Sequence, residues 1–327
     1  MQTNYTYQKN PRIKKYLQQL EIMQQVIDLL PHLPHVEENL RRKSYLKSSL
    51  YSARIEGNKL SLNEINFASK KNQSGNREKQ EIFNILSAIH WLYSSKGPRK
   101  LTSKLILSLH KKVMKNLEPN GYFRQEPGVI FNQAGMAVYL APPASELPDL
   151  INELIGWINK TKEKAVIKAA LIHFVFEKIH PFQDGNGRVG RLLSMFILKQ
   201  GGYGFRGLVS LEEFIEKERA DYYYLLMKTS KNLTKFVEFI LEGLVTQTKK
   251  ALEELKNTKE EKIEDTLLPR RSEILSIIRD HRMISFDFLK RRFSKISPST
   301  LHYDLSCLRK QKLIKKIGST RGVLYGI

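Results

Sequence analysis

The stretch "HPFQDGNGRVGR", residues 180–191, decides how the rest of this 327-residue chain is read. It closes one helical pattern and opens another. Upstream, "AALIHFVFEKI" (169–179) is apolar enough for a buried helix. Pro181 disfavours helical geometry at the residue before it, so His180 is expected at the helix end. "DGNG" (184–187) is a tight turn whose glycines permit positive φ and close backbone approach. "GRVGRLLSMFIL" (187–198) then begins a new helix. The turn therefore points uncapped backbone N–H groups at whatever lies before that helix, which is a ready-made anion site. Arg188 and Arg191 share a face of its first turn, where positive charge opposes the helix dipole, so an anion is expected to compensate them. Asp184 offers one carboxylate for magnesium bridging to phosphate oxygens. His180 offers a proton acceptor for a hydroxyl nucleophile. Base, metal ligand and phosphate cradle on one loop are the parts of transfer from a nucleotide.

Working outward, most apolar positions recur at helical spacing. Helices are expected over 12–30, 36–56, 80–95 (with Ile82, Ile85, Leu86 and Ile89 on one face), 102–117, 145–160, 164–179 and 187–200, with two more in 210–255. Residues 121–143 break this pattern: "VIF" and "AVYL" flanking "NQAG" read as a small β-hairpin. A charged, apolar-poor stretch at 256–268 reads as a linker. From Pro269 the pattern is helix, helix, helix and two strands around "GSTRG", the order of a winged helix-turn-helix, with Lys315, Lys316 and Arg321 placed for phosphates. Such modules bind DNA or dock proteins, and both partners stay open.

A second motif, "SARIEGN" (52–58), puts Glu56 at a helix C-terminus, where negative charge also opposes the dipole, with Ser52 one turn earlier. Two helix ends with the wrong charge, Glu56 and Arg188/Arg191, are expected to satisfy each other.

The composition bounds the class. A net charge of +22 favours anionic partners or simply a basic, soluble surface. One cysteine, Cys307, leaves no disulfide within the chain and no cysteine-based metal site. No signal-like N-terminus and no apolar run of spanning length are present, so a cytoplasmic protein with no membrane partner is the expectation.

These residues resemble the signature of the Fic family, every defining position being present from His180 to Arg191. The resemblance implies a mainly α fold, a Fic helical bundle with a β-hairpin flap, plus the C-terminal winged helix. The domains would be 1–100 (N-terminal helices with an inhibitory helix), 101–255 (catalytic core), 256–268 (linker) and 269–327 (winged helix). It implies a magnesium-dependent protein adenylyltransferase moving AMP from ATP to a Tyr, Thr or Ser hydroxyl of a target protein or of the chain itself. His180 would be the general base and Phe182 the inward anchor of the loop. Asp184 would hold Mg, while Gly185, Asn186, Gly187, Arg188 and Arg191 would hold phosphates. Both Gly185 and Gly187 are present, which favours nucleotidyl transfer over the phosphate transfer of the related Doc branch. The hairpin (Val129, Ile130, Phe131, Tyr139) would clamp the target segment. Tyr222 and Tyr223, in "ERADYYYLL" (218–226), would lie near the nucleotide base, though they fit an ordinary core equally well. "SARIEGN" resembles the family's inhibitory motif, in which Glu56, with Ser52, pairs with Arg191 and blocks ATP. The alternatives are a DNA-binding regulator that senses nucleotide and an enzyme whose net activity removes AMP. A homodimer is a further expected partner state.

Overall fold

A computed structural model of the chain describes residues 5–30, 34–66, 76–118, 120–131, 137–228, 230–257, 267–294, 296–318 and 323–327. The chain divides into two compact units, Met1–Asn257 and Thr258–Ile327, each with its own hydrophobic core. No helix of the described residues is long and apolar enough to cross a membrane.

In the first unit the chain forms α1 (Pro11–Leu29), α2 (Pro34–Ile55), a short α3 (Leu62–Asn66), α4 (Arg77–Tyr93) and α5 (Ser103–Val113). Strands β1 (Val129–Phe131) and β2 (Ala137–Leu140) follow as an antiparallel hairpin with Ile130 opposite Tyr139. Then come α6 (Leu147–Lys160), α7 (Ala165–Ile179), α8 (Asn186–Gln200), α9 (Leu211–Lys217), α10 (Arg219–Met227) and α11 (Thr234–Asn257). Local chemistry sets several of these starts. Asn10 accepts a hydrogen bond from the Ile13 N–H ahead of Pro11, and Thr102 does the same for the Leu105 N–H.

The most apolar helix lies in the middle. α7 buries residues on every side, from Val166 to Ile179, as a helix without a polar face must. It packs against α6, α8 and α11, while α8 packs against α2, α4 and α5. The 180–185 loop is thus held between two largely buried helices, which makes it rigid. One continuous core runs from Ile13 through Val245, so residues 1–100 and 101–255 share their interior. Between 210 and 255 there are three helices rather than two. The break falls at Glu218, whose ψ of 36° leaves the helical range, a change no apolar periodicity signals.

The second unit is α12 (Pro269–His281), β3 (Met283–Ser285), α13 (Phe286–Arg292), α14 (Pro298–Lys310), β4 (Lys315–Ile317) and β5 (Leu324–Gly326). The strands form an antiparallel sheet in the order β3-β5-β4. Strand β3 is an addition to the sequence reading, because three residues are too few to show alternation. Ser297 caps α14 by accepting from the Thr300 N–H. Asp304, fully buried, binds Arg270 at 2.6 Å and Arg271 at 2.8 Å and so ties α14 to α12. Three sequence readings, the "NQAG" turn, most of the linker and Arg321, lie outside the described residues.

Candidate active site

Everything at the site begins with the chain reversal between α7 and α8. His180 ends α7 in the left-handed region, φ 47° and ψ 59°, a conformation that costs a non-glycine residue about 1–2 kcal/mol. Surrounding contacts over-determine it, which is what lets such a strained conformation persist. The Arg124 guanidinium donates to the carbonyls of His180 (2.9 Å), Glu126 (2.8 Å) and Pro142 (2.5 Å). Its backbone N–H donates to Pro181. One buried arginine therefore ties the loop to both ends of the hairpin. Gly128 makes room for it, since a Cβ there would lie 2.8 Å from Arg124 Nε.

Phe182 is fully buried and stacks on the His110 ring, centroids 3.7 Å apart. His110 Nδ1 accepts from the Gly121 N–H at 3.0 Å, so its Nε2–H donates to the Asp184 carbonyl at 3.1 Å. The Asn186 side chain closes the loop by accepting from the Phe182 N–H and donating to the Phe182 carbonyl, at 2.9 and 2.8 Å. The Asn186 side chain is thus a clasp within the loop, while its N–H stands at the start of α8. Gly185, at φ 85°, supplies the left-handed turn into α8.

The start of α8 has neither a side-chain cap nor an acidic residue in its first turn. The Glu56 carboxylate occupies that place. Arg191 Nη2 binds Glu56 Oε1 at 2.8 Å and the Ser52 carbonyl at 2.8 Å, while its Nε binds Ser52 Oγ at 2.9 Å. A Cβ on Gly187 would overlap Glu56 Oε1, so the carboxylate lies directly on the helix N-terminus. The two helix ends with unfavourable charge meet, as the sequence reading expected. Burial works against the charge on Arg191, and the Glu56 carboxylate more than offsets it, so the guanidinium stays firmly protonated. Gly57, at φ 103°, turns the chain away from α2 just beyond Glu56. The Tyr223 hydroxyl donates to the Ile55 carbonyl at 2.8 Å and secures that helix end.

Arg188 is buried and binds Asp184 Oδ1 at 2.7 Å. Burial opposes the Asp184 charge, but Arg188 and the Gly185 N–H prevail and hold its pKa low. Arg188 Nε and Arg191 Nη1 are buried with no hydrogen-bond partner among the described residues. Two unmatched guanidinium donors beside an uncapped helix suit a polyanion.

Burial lowers the His180 pKa, partly countered by the Glu177 carbonyl. That carbonyl lies 3.3 Å from His180 Nδ1. With Nδ1–H donating there, Nε2 is the proton-accepting atom of a neutral ring. The sequence reading missed Arg124, His110 and Glu177. Burial, reinforced by Glu56, raises the Glu177 carboxyl to about 8 against the pull of Arg191. His110 could have been found as the one polar residue on the apolar stripe of α5. Arg124 and Glu177 carried no local signal, because their partners are distant or lie on another helix.

The tyrosines separate. Tyr222 is buried in the core, its hydroxyl 2.8 Å from His173 Nε2. Tyr223 is only half-buried and sits beside the Glu56 end of α2. On the hairpin, Val129 is exposed and Tyr139 donates to the Lys178 carbonyl at 3.0 Å. Ile130 and Phe131 are placed by backbone only.

Two histidines predict acid sensitivity. Burial drives His110 to about 4 and His173 to about 3, from an ordinary 6.5. Below pH 6.5 the unfolded chain binds protons that the fold refuses, so stability falls as pH falls. Thermal melts should decline from pH 6.5 to 4, and His173→Gln should flatten that slope. A slope unchanged in the variant would show that other groups carry it.

Residues 100–198 match the Fic/DOC family model. The chain is 27% identical over 253 residues to the protein adenylyltransferase Fic of Aedes aegypti, covering 72% of this chain and 48% of that protein. A probable protein adenylyltransferase of Aquifex aeolicus is 35% identical over 132 residues, 36% of this chain and 40% of the relative. The chain spans about half the length of the curated relatives it matches. A crystal structure of a Fic family protein from Desulfovibrio desulfuricans shares the fold over 98% of this chain and 97% of its own, with TM-score 0.70 and 23% identity. Fic-1 from C. elegans gives TM-score 0.63 at 22% identity, over 75% of this chain and 73% of its own.

Proposed function

We propose that this chain is a protein adenylyltransferase that moves AMP from ATP to a Tyr, Thr or Ser hydroxyl of a protein, held off by its own α2. The observation that carries this reading is the Glu56 carboxylate lying on the α8 N-terminus against Arg191, where phosphate oxygens would bind. His180 Nε2 takes the proton of the attacking hydroxyl. The hydroxyl oxygen then bonds to the α-phosphorus of ATP as the bond to the bridging oxygen breaks and pyrophosphate leaves. Gly185, Gly187 and the α8 N–H groups cradle the phosphates, and Arg188 and Arg191 bind their outer oxygens. Asp184 fits magnesium: it is the loop's lone carboxylate, its side chain 46% exposed, and magnesium often takes one carboxylate plus substrate oxygens. Bound there, the ion would neutralise charge developing on the phosphates. No cluster of three or more ligating residues occurs among the described residues, so the nucleotide would supply the remaining oxygens.

The test incubates the Glu56→Gly chain with isotope-labelled ATP and lysate, followed by mass spectrometry of target and self. No AMP adduct on any hydroxyl would sink the reading. Replacing Asp184 by alanine should weaken magnesium-dependent transfer, and an unchanged magnesium titration would remove it as the ligand.

A second activity rests on the C-terminal unit, which we read as a winged helix. Lys315 and Lys316 are exposed on β4, and Tyr303 is exposed on α14, whereas Arg270 and Arg271 are committed to Asp304. Duplex DNA should bind the full chain with steep salt dependence. Binding insensitive to salt, or absent at low salt, would favour protein docking.

A further inference from the structure

Lys178 is a largely buried lysine whose ammonium has no counter-charge among the described residues. It sits on α7 two residues before His180 and is 7% exposed. Lysines are almost never this buried unless paired. Among the described residues its ammonium has no carboxylate within salt-bridge distance and no hydrogen-bond acceptor. The ammonium lies over two aromatic rings, Tyr139 at 4.4 Å and Phe174 at 5.5 Å. Tyr5 closes the far side of Phe174 edge-on, ring centroids 5.6 Å apart. Burial lowers the Lys178 pKa, and no charged neighbour contributes to the shift. Cation–π contacts offset only part of such desolvation.

Tyr139 belongs to β2 and is anchored on α7 through its hydrogen bond to the Lys178 carbonyl. The hairpin has two strands, with no third strand paired to either edge among the described residues, and its side chains Val129 and Leu140 are exposed. The unpaired cation therefore lies at the joint between the hairpin and the helix that carries His180. An extended segment pairing with either edge would carry side chains past this joint.

We propose that Lys178 is a specificity subsite for an acidic side chain, Asp or Glu, of the protein segment that is modified. This rests on the reading of the chain as a protein-modifying enzyme with the hairpin as its clamp. A carboxylate supplied by the target would complete the missing ion pair at a partly desolvated ammonium, where a charge-assisted hydrogen bond discriminates. The aromatic walls hold the ammonium in position, so little side-chain freedom is lost on binding. A glutamine in place of the acid leaves the cation uncompensated. The basic character of the chain, +22 overall, favours approach of acidic segments.

The experiment compares two pools of extended, fluorescently tagged peptides containing Tyr, Thr or Ser. The pools are identical except for glutamate or glutamine around the hydroxyl residue. Anisotropy titrations against the full-length chain should show the glutamate pool binding roughly tenfold tighter or more. Lys178→Met keeps the stem and should bring the two pools level. Lys178→Glu should shift preference to a lysine-containing pool. Equal binding of the two pools by the unmodified chain overturns the proposal, as does no binding of either pool. A preference that survives in a folded Lys178→Met chain does the same. Should either variant fail to fold, the comparison on the unmodified chain still decides. AMP transfer to the same peptides by the Glu56→Gly chain separates the two readings. Transfer with no acidic preference removes the subsite and leaves the activity, whereas acid-selective binding with no transfer does the reverse.

Discussion

Replacing His180 by alanine in the Glu56→Gly background should lower AMP transfer by about 10²- to 10⁴-fold, the usual worth of a general base. Folding should survive. The loop is held by the Asn186 clasp, the Phe182–His110 stack and the three carbonyls on Arg124, and none of these uses the imidazole. Alanine at φ 47° keeps the left-handed strain that histidine bears. His180→Gly is therefore the sharper control: it relieves that strain, should melt higher than His180→Ala, and should be equally inactive. An active His180→Gly chain would mean that another group takes the proton. The pH profile supplies an independent check. Burial lowers the His180 pKa, and the neutral ring is the active form, so activity should hold through neutral pH. It should fall only on an acid limb below the ordinary histidine value of 6.5. An acid limb above that value would identify a different base.

Replacing Glu56 by glycine should raise AMP transfer by about 5- to 150-fold, the range of a typical coupling between two sites. On the proposed reading, the carboxylate and a phosphate would compete for one place, the α8 N-terminus above Gly187 and Nη2 of Arg191, where Glu56 lies. Removing the carboxylate frees both. The Ser52 contacts remain, so Arg191 keeps its orientation through Nε and the second bond of Nη2. Adding Arg191→Ala should abolish the gain, because the phosphate ligand is then gone. Arg191 is almost fully buried, so Arg191→Lys provides a milder companion that keeps the charge but loses the fork geometry. Labelling of target and self by the three proteins at equal concentration measures this. No gain with any target would remove the inhibitory reading of Glu56. If removal of AMP is the dominant activity, the same substitution should instead slow release from a modified substrate.

The sequence alone determined the parts that depend on neighbours along the chain. The loop between two helices follows from Pro181, the two glycines and the apolar runs on either side, and all of these act within a few residues. The helical character of the first unit and the hairpin at 121–143 follow from period and turn chemistry. Even the meeting of Glu56 with Arg191 was legible, because each carries the wrong sign for its own helix end and so calls for a distant partner. Tertiary structure decided what depends on who packs against whom. Arg124 joins the loop to the hairpin through carbonyl groups, which every residue has and no sequence pattern marks. The Asn186 side chain proves to be a clasp because it reaches back to Phe182, a contact that only the folded loop brings about. Tyr222 and Tyr223 are neighbours with one side-chain chemistry, and only packing sends one into the core and leaves the other at the end of α2. Lys178 reads as one more surface lysine until packing, a property of the assembled fold, covers most of its side chain without a counter-charge among the described residues.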